Sequence, residues 1–183
     1  FSSFVSYVAS VEITFHCMQI DVSMFPCSTQ AWPLFARHHY MSADINTSAR
    51  CWLAVDGDEP VAFVSALVFP SRDLDKAWRE HRTVVFPDYQ GLGLGSRLSD
   101  AVAQLFVDNG CRYFSKTSHP KLGEHRERSP LWRATSMNKV SRASSYLSNR
   151  ESRVTATVYR SFNYEAHAHR ICYSHEYVGA LDA

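Results

Sequence analysis

The chain has 183 residues, 45% hydrophobic and 20% charged, which is the composition of one ordinary globular domain with a sizeable core. Nineteen Lys and Arg against 18 Asp and Glu leave a formal net charge of +1, so no strong overall field draws nucleic acid or an anionic membrane. Five widely spaced cysteines (Cys17, Cys27, Cys51, Cys111 and Cys172) form no CxxC pair, which excludes a disulfide framework and points to reduced thiols in a cytosolic compartment.

Val11 to Val22 alternates loosely and is rich in Val, Ile and Phe, which predicts a first strand. Ser28 or Thr29 can cap a helix over Ala31 to Met41, with Pro33 tolerated in its first turn. Asp44 to Ala49 reads as a loop or short helix, and Cys51 to Val55 as a second strand. Asp56-Gly57-Asp58 is a hairpin turn signal, followed by a third strand over Pro60 to Phe69. Trp78 to Phe86 is the fourth strand, polar at its start, apolar at its end and closed by Pro87.

Leu94, Leu98, Ala101, Val102, Leu105 and Phe106 recur at intervals of three and four, the stripe of a core-facing helix. Asn109-Gly110 ends that helix, and Cys111 to Thr117 is a fifth strand, parallel to the fourth. Glu124 to Thr135 has helical character interrupted by Pro130, and Met137 to Arg153 reads as a mobile loop. Val154 to Phe162 is β-prone, and Arg170 to Val178 is a final strand. That strand offers an edge through which a homodimer could pair. No apolar run approaches the ~20 residues of a membrane span. The N-terminus lacks the pattern of a signal peptide, and its missing Met reads as a trimmed or partial start.

Three of the seven glycines fall within Gly91 to Gly95, between the fourth strand and the striped helix. A glycine-rich turn opening a helix turns several backbone N–H groups one way, towards an anion. A Walker loop needs Gly-Lys-Ser/Thr, and here the residues are Gly95-Ser96-Arg97. The dinucleotide fingerprint GxGxxG fits poorly, because these glycines run GxGxG.

Gln90-x-x-Gly93-x-Gly95 resembles the Q/R-x-x-G-x-G/A signature of the GNAT superfamily of acyl-CoA-dependent N-acetyltransferases. The order of hairpin, fourth strand, signature, long helix and parallel fifth strand agrees with it over Val11 to Thr117. The resemblance implies one α/β (α+β) domain over the whole chain, with a mixed, mostly antiparallel central sheet and helices on both faces. It also implies acetyl-CoA as cosubstrate and a primary amine as acceptor. Its pyrophosphate would lie on the loop from Gln90 and Gly91 through Leu92, Gly93, Leu94, Gly95, Ser96 and Arg97. Its pantetheine arm would pair with the backbone of Val84, Val85 and Phe86. Arg97 could add charge to the phosphates or be a solvated helix residue.

Direct attack of an amine on a thioester needs a proton acceptor and a donor to the carbonyl oxygen. The resemblance places a carboxylate near Glu80, with His81 beside it. Strand alternation turns the two to opposite faces unless a bulge intervenes. A surface ion pair of Glu80 with Arg79 or Arg82 is the competing reading. The family's usual acid is a tyrosine after the fifth strand. Ser129-Pro130-Leu131-Trp132-Arg133 has none, which leaves Tyr146, with Ser118 and His119 as further candidates. That departure keeps a non-catalytic acyl-CoA-binding or sensor module as the alternative.

Nine histidines form no four-ligand zinc spacing, so no metal is expected. Arg126, Arg128, Arg133, Lys139, Arg142, Arg150 and Arg153 make a basic stretch, read first as a solvated loop. A nucleic-acid-associated domain of the same family is the reading it would otherwise support.

Overall fold

The computed structural model describes residues 13–17, 20–39, 44–71, 73–141 and 171–179. The chain divides into two compact units, Phe1–Phe114 and Ser115–Ala183.

In the first unit the strands lie in sequence order. They are β1 (Ile13–Cys17), β2 (Ile20–Cys27), β3 (Arg50–Asp56), β4 (Glu59–Val68), β5 (Ala77–Val85) and the start of β6 (Arg112–Thr117), whose residues from Ser115 on belong to the second unit. Each neighbouring pair from β1 to β5 is antiparallel, and β6 runs parallel to β5. The fold is therefore the expected mixed, mostly antiparallel sheet with helices. The stretch predicted as one strand over Val11 to Val22 is instead parts of two, with Ile13 opposite Met24 and Cys17 opposite Ile20. Every later strand number rises by one, so the predicted fourth strand is β5.

Side chains of β3, β4 and β5 alternate between two apolar layers. On one face Cys51, Leu53, Phe63 and Val84 form a core with Ala31, Trp32 and Phe35. The last three come from a 3-10 turn (Thr29–Ala31) and the short α1 (Pro33–Ala36). Phe35 stacks on Phe86 and Phe63, at 4.6 and 5.5 Å between centroids. The expected helix over Ala31 to Met41 is thus shorter and starts as a 3-10 turn. Ser28 does cap it, its Oγ accepting from Gln30 N–H at 3.3 Å.

On the other face lies α2 (Leu94–Asp108), which buries Leu94, Leu98, Val102 and Phe106. Phe106 meets Trp52, Trp78 and Tyr113 at 5.7, 4.7 and 5.2 Å. Four of the six stripe residues are buried; Ala101 and Leu105 are only partly so, and Ser99 and Ala103 complete the buried face. Gly110 at φ 69° ends the element, where only glycine turns left-handed without strain.

The second unit contains α3 (Pro120–Arg128), β7 (Trp132–Ala134), β8 (Val140–Ser141) and β9 (Ile171–Tyr177). The helix expected over Glu124 to Thr135 begins earlier and stops before Pro130, which cannot continue it. Trp132 to Ala134 is a strand instead, because it pairs antiparallel with His175 to Tyr177. β8 pairs with Cys172 and Ile171, so the expected loop begins with ordered chain. The predicted strand over Val154 to Phe162 lies outside the described residues.

Candidate active site

The loop between β5 and α2 is built by a few constraints. Phe86 N–H donates to Val61 O at 2.9 Å, which holds the end of β5 on β4. Pro87 then opens a 3-10 turn over Pro87–Tyr89. Gln90 folds back, its side-chain amide donating to Val85 O at 2.9 Å. Gly91 and Gly93 take φ of 85° and 76°. These left-handed positions cost an L side chain about 1–2 kcal/mol each. Gly93 is the residue before the first helical position. Its carbonyl accepts from Arg97 N–H at 3.2 Å and from Ser96 Oγ at 2.8 Å.

Leu94, Gly95 and Ser96 form the first turn of a 15-residue helix, where no intrahelical acceptor reaches their N–H groups. The helix dipole adds positive potential at this end. The loop therefore has the geometry of an anion cradle, with Leu92, Gly93 and Arg97 flanking it. The three glycines do different work. A Cβ on Gly91 or Gly93 would meet nothing within 4 Å, so backbone conformation requires those two. A Cβ on Gly95 would sit 3.2 Å from Val85 Cγ2, so that glycine lets α2 lie close on β5.

Amides along a strand alternate in direction. With Phe86 N–H directed at β4, those of Val84 also face β4, while those of Val85 and Thr83 face away. Val85 O is taken by Gln90, and Val85 N–H lies on the same edge, away from β4. β6 pairs with β5 only over Ala77 to Arg79 among the described residues.

Glu80 and His81 lie at a β-bulge. Ser65 pairs with Arg82 and Ala66 with Glu80, so His81 is the extra residue. The bulge does not bring the two candidates together. Glu80 accepts from Thr83 Oγ1, and the Thr83 methyl lies towards Gly95, on the α2 side. His81 turns to the loop before β3, where its Nε2 accepts from Asn46 N–H at 3.4 Å. Arg82 donates to His81 O and Asp44 O, both at 3.1 Å. Burial, then Arg82, Arg79 and His39, lower the His81 pKa to about 4. At neutral pH its ring is therefore uncharged.

Tyr146 lies outside the described residues. In the second unit His119 caps α3, its Nδ1 accepting from Leu122 N–H at 3.4 Å. The basic stretch contains a built cluster that sequence reasoning missed. Arg126 is buried, donates to Ser115 Oγ and lies 4.4 Å over the Trp132 ring. Glu127 accepts from Asn138 at 2.6 Å and Lys139 at 2.7 Å, and lies 2.7 Å from His175 Nε2. Lys139 above all holds the Glu127 pKa down at about 2. No group of three or more metal-ligating side chains occurs among the described residues. Nor is any helix there long and apolar enough to cross a membrane.

The family model of the GNAT acetyltransferases matches residues 16–126. No curated protein sequence matches the chain. A GNAT acetyltransferase from Elizabethkingia anophelis, solved with acetyl-CoA bound, is similar at 12% identity and TM-score 0.53, covering 85% of this chain and 97% of that one. The ribosomal-protein-S18-alanine N-acetyltransferase of Escherichia coli aligns at 11% identity and TM-score 0.53, over 88% and 96%. The GNAT domain of S. lividans PAT aligns at 12% identity and TM-score 0.53, over 71% and 92%. The fold agrees with theirs, the signature loop falls inside the matched segment, and the chain belongs to the GNAT acetyltransferase family.

Proposed function

We propose that this chain, acting as one acetyltransferase domain in the cytosol, transfers an acetyl group from acetyl-CoA to a primary amine. The observation that carries the reading is the cradle. Two left-handed glycines lead into the first-turn amides of a long helix, and by strand alternation Val85 N–H faces away from β4. Acetyl-CoA would supply a thioester, an acyl donor open to direct attack by a neutral amine. Leu94, Gly95 and Ser96 would hold the pyrophosphate by N–H donation. Val85 N–H would orient the pantetheine arm. Glu80, a carboxylate on the α2 side of β5 that accepts from Thr83 Oγ1, is the first candidate to receive the amine proton. His81 is a weak base at the Nε2 that Asn46 occupies, which makes it the poorer candidate.

Calorimetry with CoA, followed by release of free thiol from acetyl-CoA with a panel of amines, tests both halves. Binding together with amine-dependent thiol release is expected. Binding without release from any amine would favour a non-catalytic acyl-CoA module. Absence of CoA binding would sink the proposal.

A further inference from the structure

The edge of β5 that faces away from β4 carries the polar backbone groups of Thr83 and Val85. β6 pairs with β5 only as far as Arg79 among the described residues, so strand pairing there does not use those groups. One of them is engaged by a side chain instead. Gln90 Nε2 donates to Val85 O at 2.9 Å, reaching back over five residues.

The backbone prepares that bond. Tyr89 N–H donates to Phe86 O at 2.9 Å and Gln90 N–H to Pro87 O at 3.1 Å, so the chain doubles back after β5. Gln90 is extended, at φ −75° and ψ 152°, and exposed. Gly91 then turns left-handed and carries the chain on to the first turn of α2. A hydrogen bond open to water contributes little by itself, because water would satisfy the same carbonyl. It counts when something covers the edge, since a carbonyl shut off from water without a donor costs the full desolvation of that group.

The pantetheine arm of acetyl-CoA would be such a cover. A peptide strand added at this edge would answer both Val85 N–H and Val85 O, because each of its residues brings an acceptor and a donor one carbon apart. The arm contains a β-alanine unit, whose N–H and C=O are separated by two carbons. Spaced so, a carbonyl placed on Val85 N–H does not bring its N–H onto Val85 O.

We propose that Gln90 is a positioning residue for the arm: it supplies the donor to Val85 O that pantetheine lacks, and the arm is held through Val85 N–H. This rests on the acetyltransferase reading and gives Gln90 a role separate from the pyrophosphate cradle.

Calorimetry compares CoA with 3′-phospho-ADP, which is CoA without its pantetheine arm. Absence of CoA binding to the wild-type chain overturns the acetyltransferase reading and this inference with it. Where CoA binds, its advantage over 3′-phospho-ADP isolates the arm, and equal affinities of the two overturn the inference only. Gln90→Met is close in shape and has no donor. It should lower the advantage by about tenfold, the cost of one buried carbonyl left unpaired, and leave the Kd for 3′-phospho-ADP within about twofold. Gln90→Glu sets an acceptor against Val85 O and should lower the advantage at least as far. An advantage unchanged in either variant, whether the two affinities hold or fall together, overturns the inference. The Val85 amide NMR signal of the wild-type chain gives a second readout. It should move further with CoA than with 3′-phospho-ADP, and equal movement with both would place the arm elsewhere and overturn the inference.

Discussion

Gly91 and Gly93 need left-handed backbone, with φ of 85° and 76°, and both Cβ directions open into free space. Substitution there acts through strain alone, about 1–2 kcal/mol per L residue. Gly93→Val should therefore leave the chain folded, tilt the first-turn amides and reduce CoA affinity by about tenfold or more, since 1.4 kcal/mol is tenfold. Calorimetry with CoA beside a thermal melt separates the two effects, and unchanged affinity would remove Gly93 from the cradle. His81 carries a different prediction. Its pKa falls from 6.5 to about 4 on folding, so below 6.5 the unfolded chain binds a proton that the folded chain refuses. Stability from this group is full above pH 6.5 and is lost as pH falls towards 4. His81→Gln should flatten the melting temperature over that window, and an unchanged slope would contradict the shift.

Elements were legible where the sequence punctuates them. Pro87, the glycine cluster and Asn109-Gly110 mark both ends of the β5–α2–β6 segment, and its predicted edges lie within a residue or so of those observed. The β1–β2 hairpin was not legible, because Met18-Gln19 carries no turn residue and the apolar run continues across it. β7 was missed because three residues acquire strand geometry only through pairing with β9, a partner distant in sequence. Glu80 and His81 were legible as polar residues at the start of a strand that ends apolar. Alternation alone predicts them on opposite faces, and the bulge at His81, which only the register with β4 reveals, leaves them apart. The docking of α3 on β9 also needed structure: a Cβ on Gly123 would overlap the Tyr173 ring at Cγ. Gly123→Ala should destabilise by about 1–3 kcal/mol, the cost of overpacking, despite the better helix propensity of Ala. Urea denaturation of Gly123→Ala with and without Tyr173→Ala checks this, because removing the ring should relieve the loss. Glu127 joins the same helix to Lys139, Asn138 and His175. Its pKa drops from 4.5 to about 2, so its contribution is present above pH 4.5 and lost as pH falls towards 2. Glu127→Gln should lower the melting temperature at pH 7 and leave it nearly unchanged at pH 2.

At the scale of the whole molecule, a net charge of +1 supplies little long-range attraction for an anionic cosubstrate. The proposed acetyl-CoA would then be held by local contacts, either aimed backbone dipoles or nearby side-chain charge. Backbone N–H donors at a helix terminus act over hydrogen-bond distances and are screened less than exposed side-chain charges. Arg97 is the one permanent cation of the signature, and its backbone N–H is already committed to Gly93 O. Two designs therefore make opposite forecasts. If the cradle amides carry the pyrophosphate, Arg97→Gln should weaken CoA by only about 1 kcal/mol or less, the range of an exposed ion pair, while Gly93→Val costs more. CoA affinity should then fall only slightly between 50 and 500 mM NaCl. If Arg97 and other side chains carry it, affinity should fall steeply with salt and the ranking of the two variants should reverse. Titrations of the wild-type chain and both variants at the two salt concentrations distinguish them.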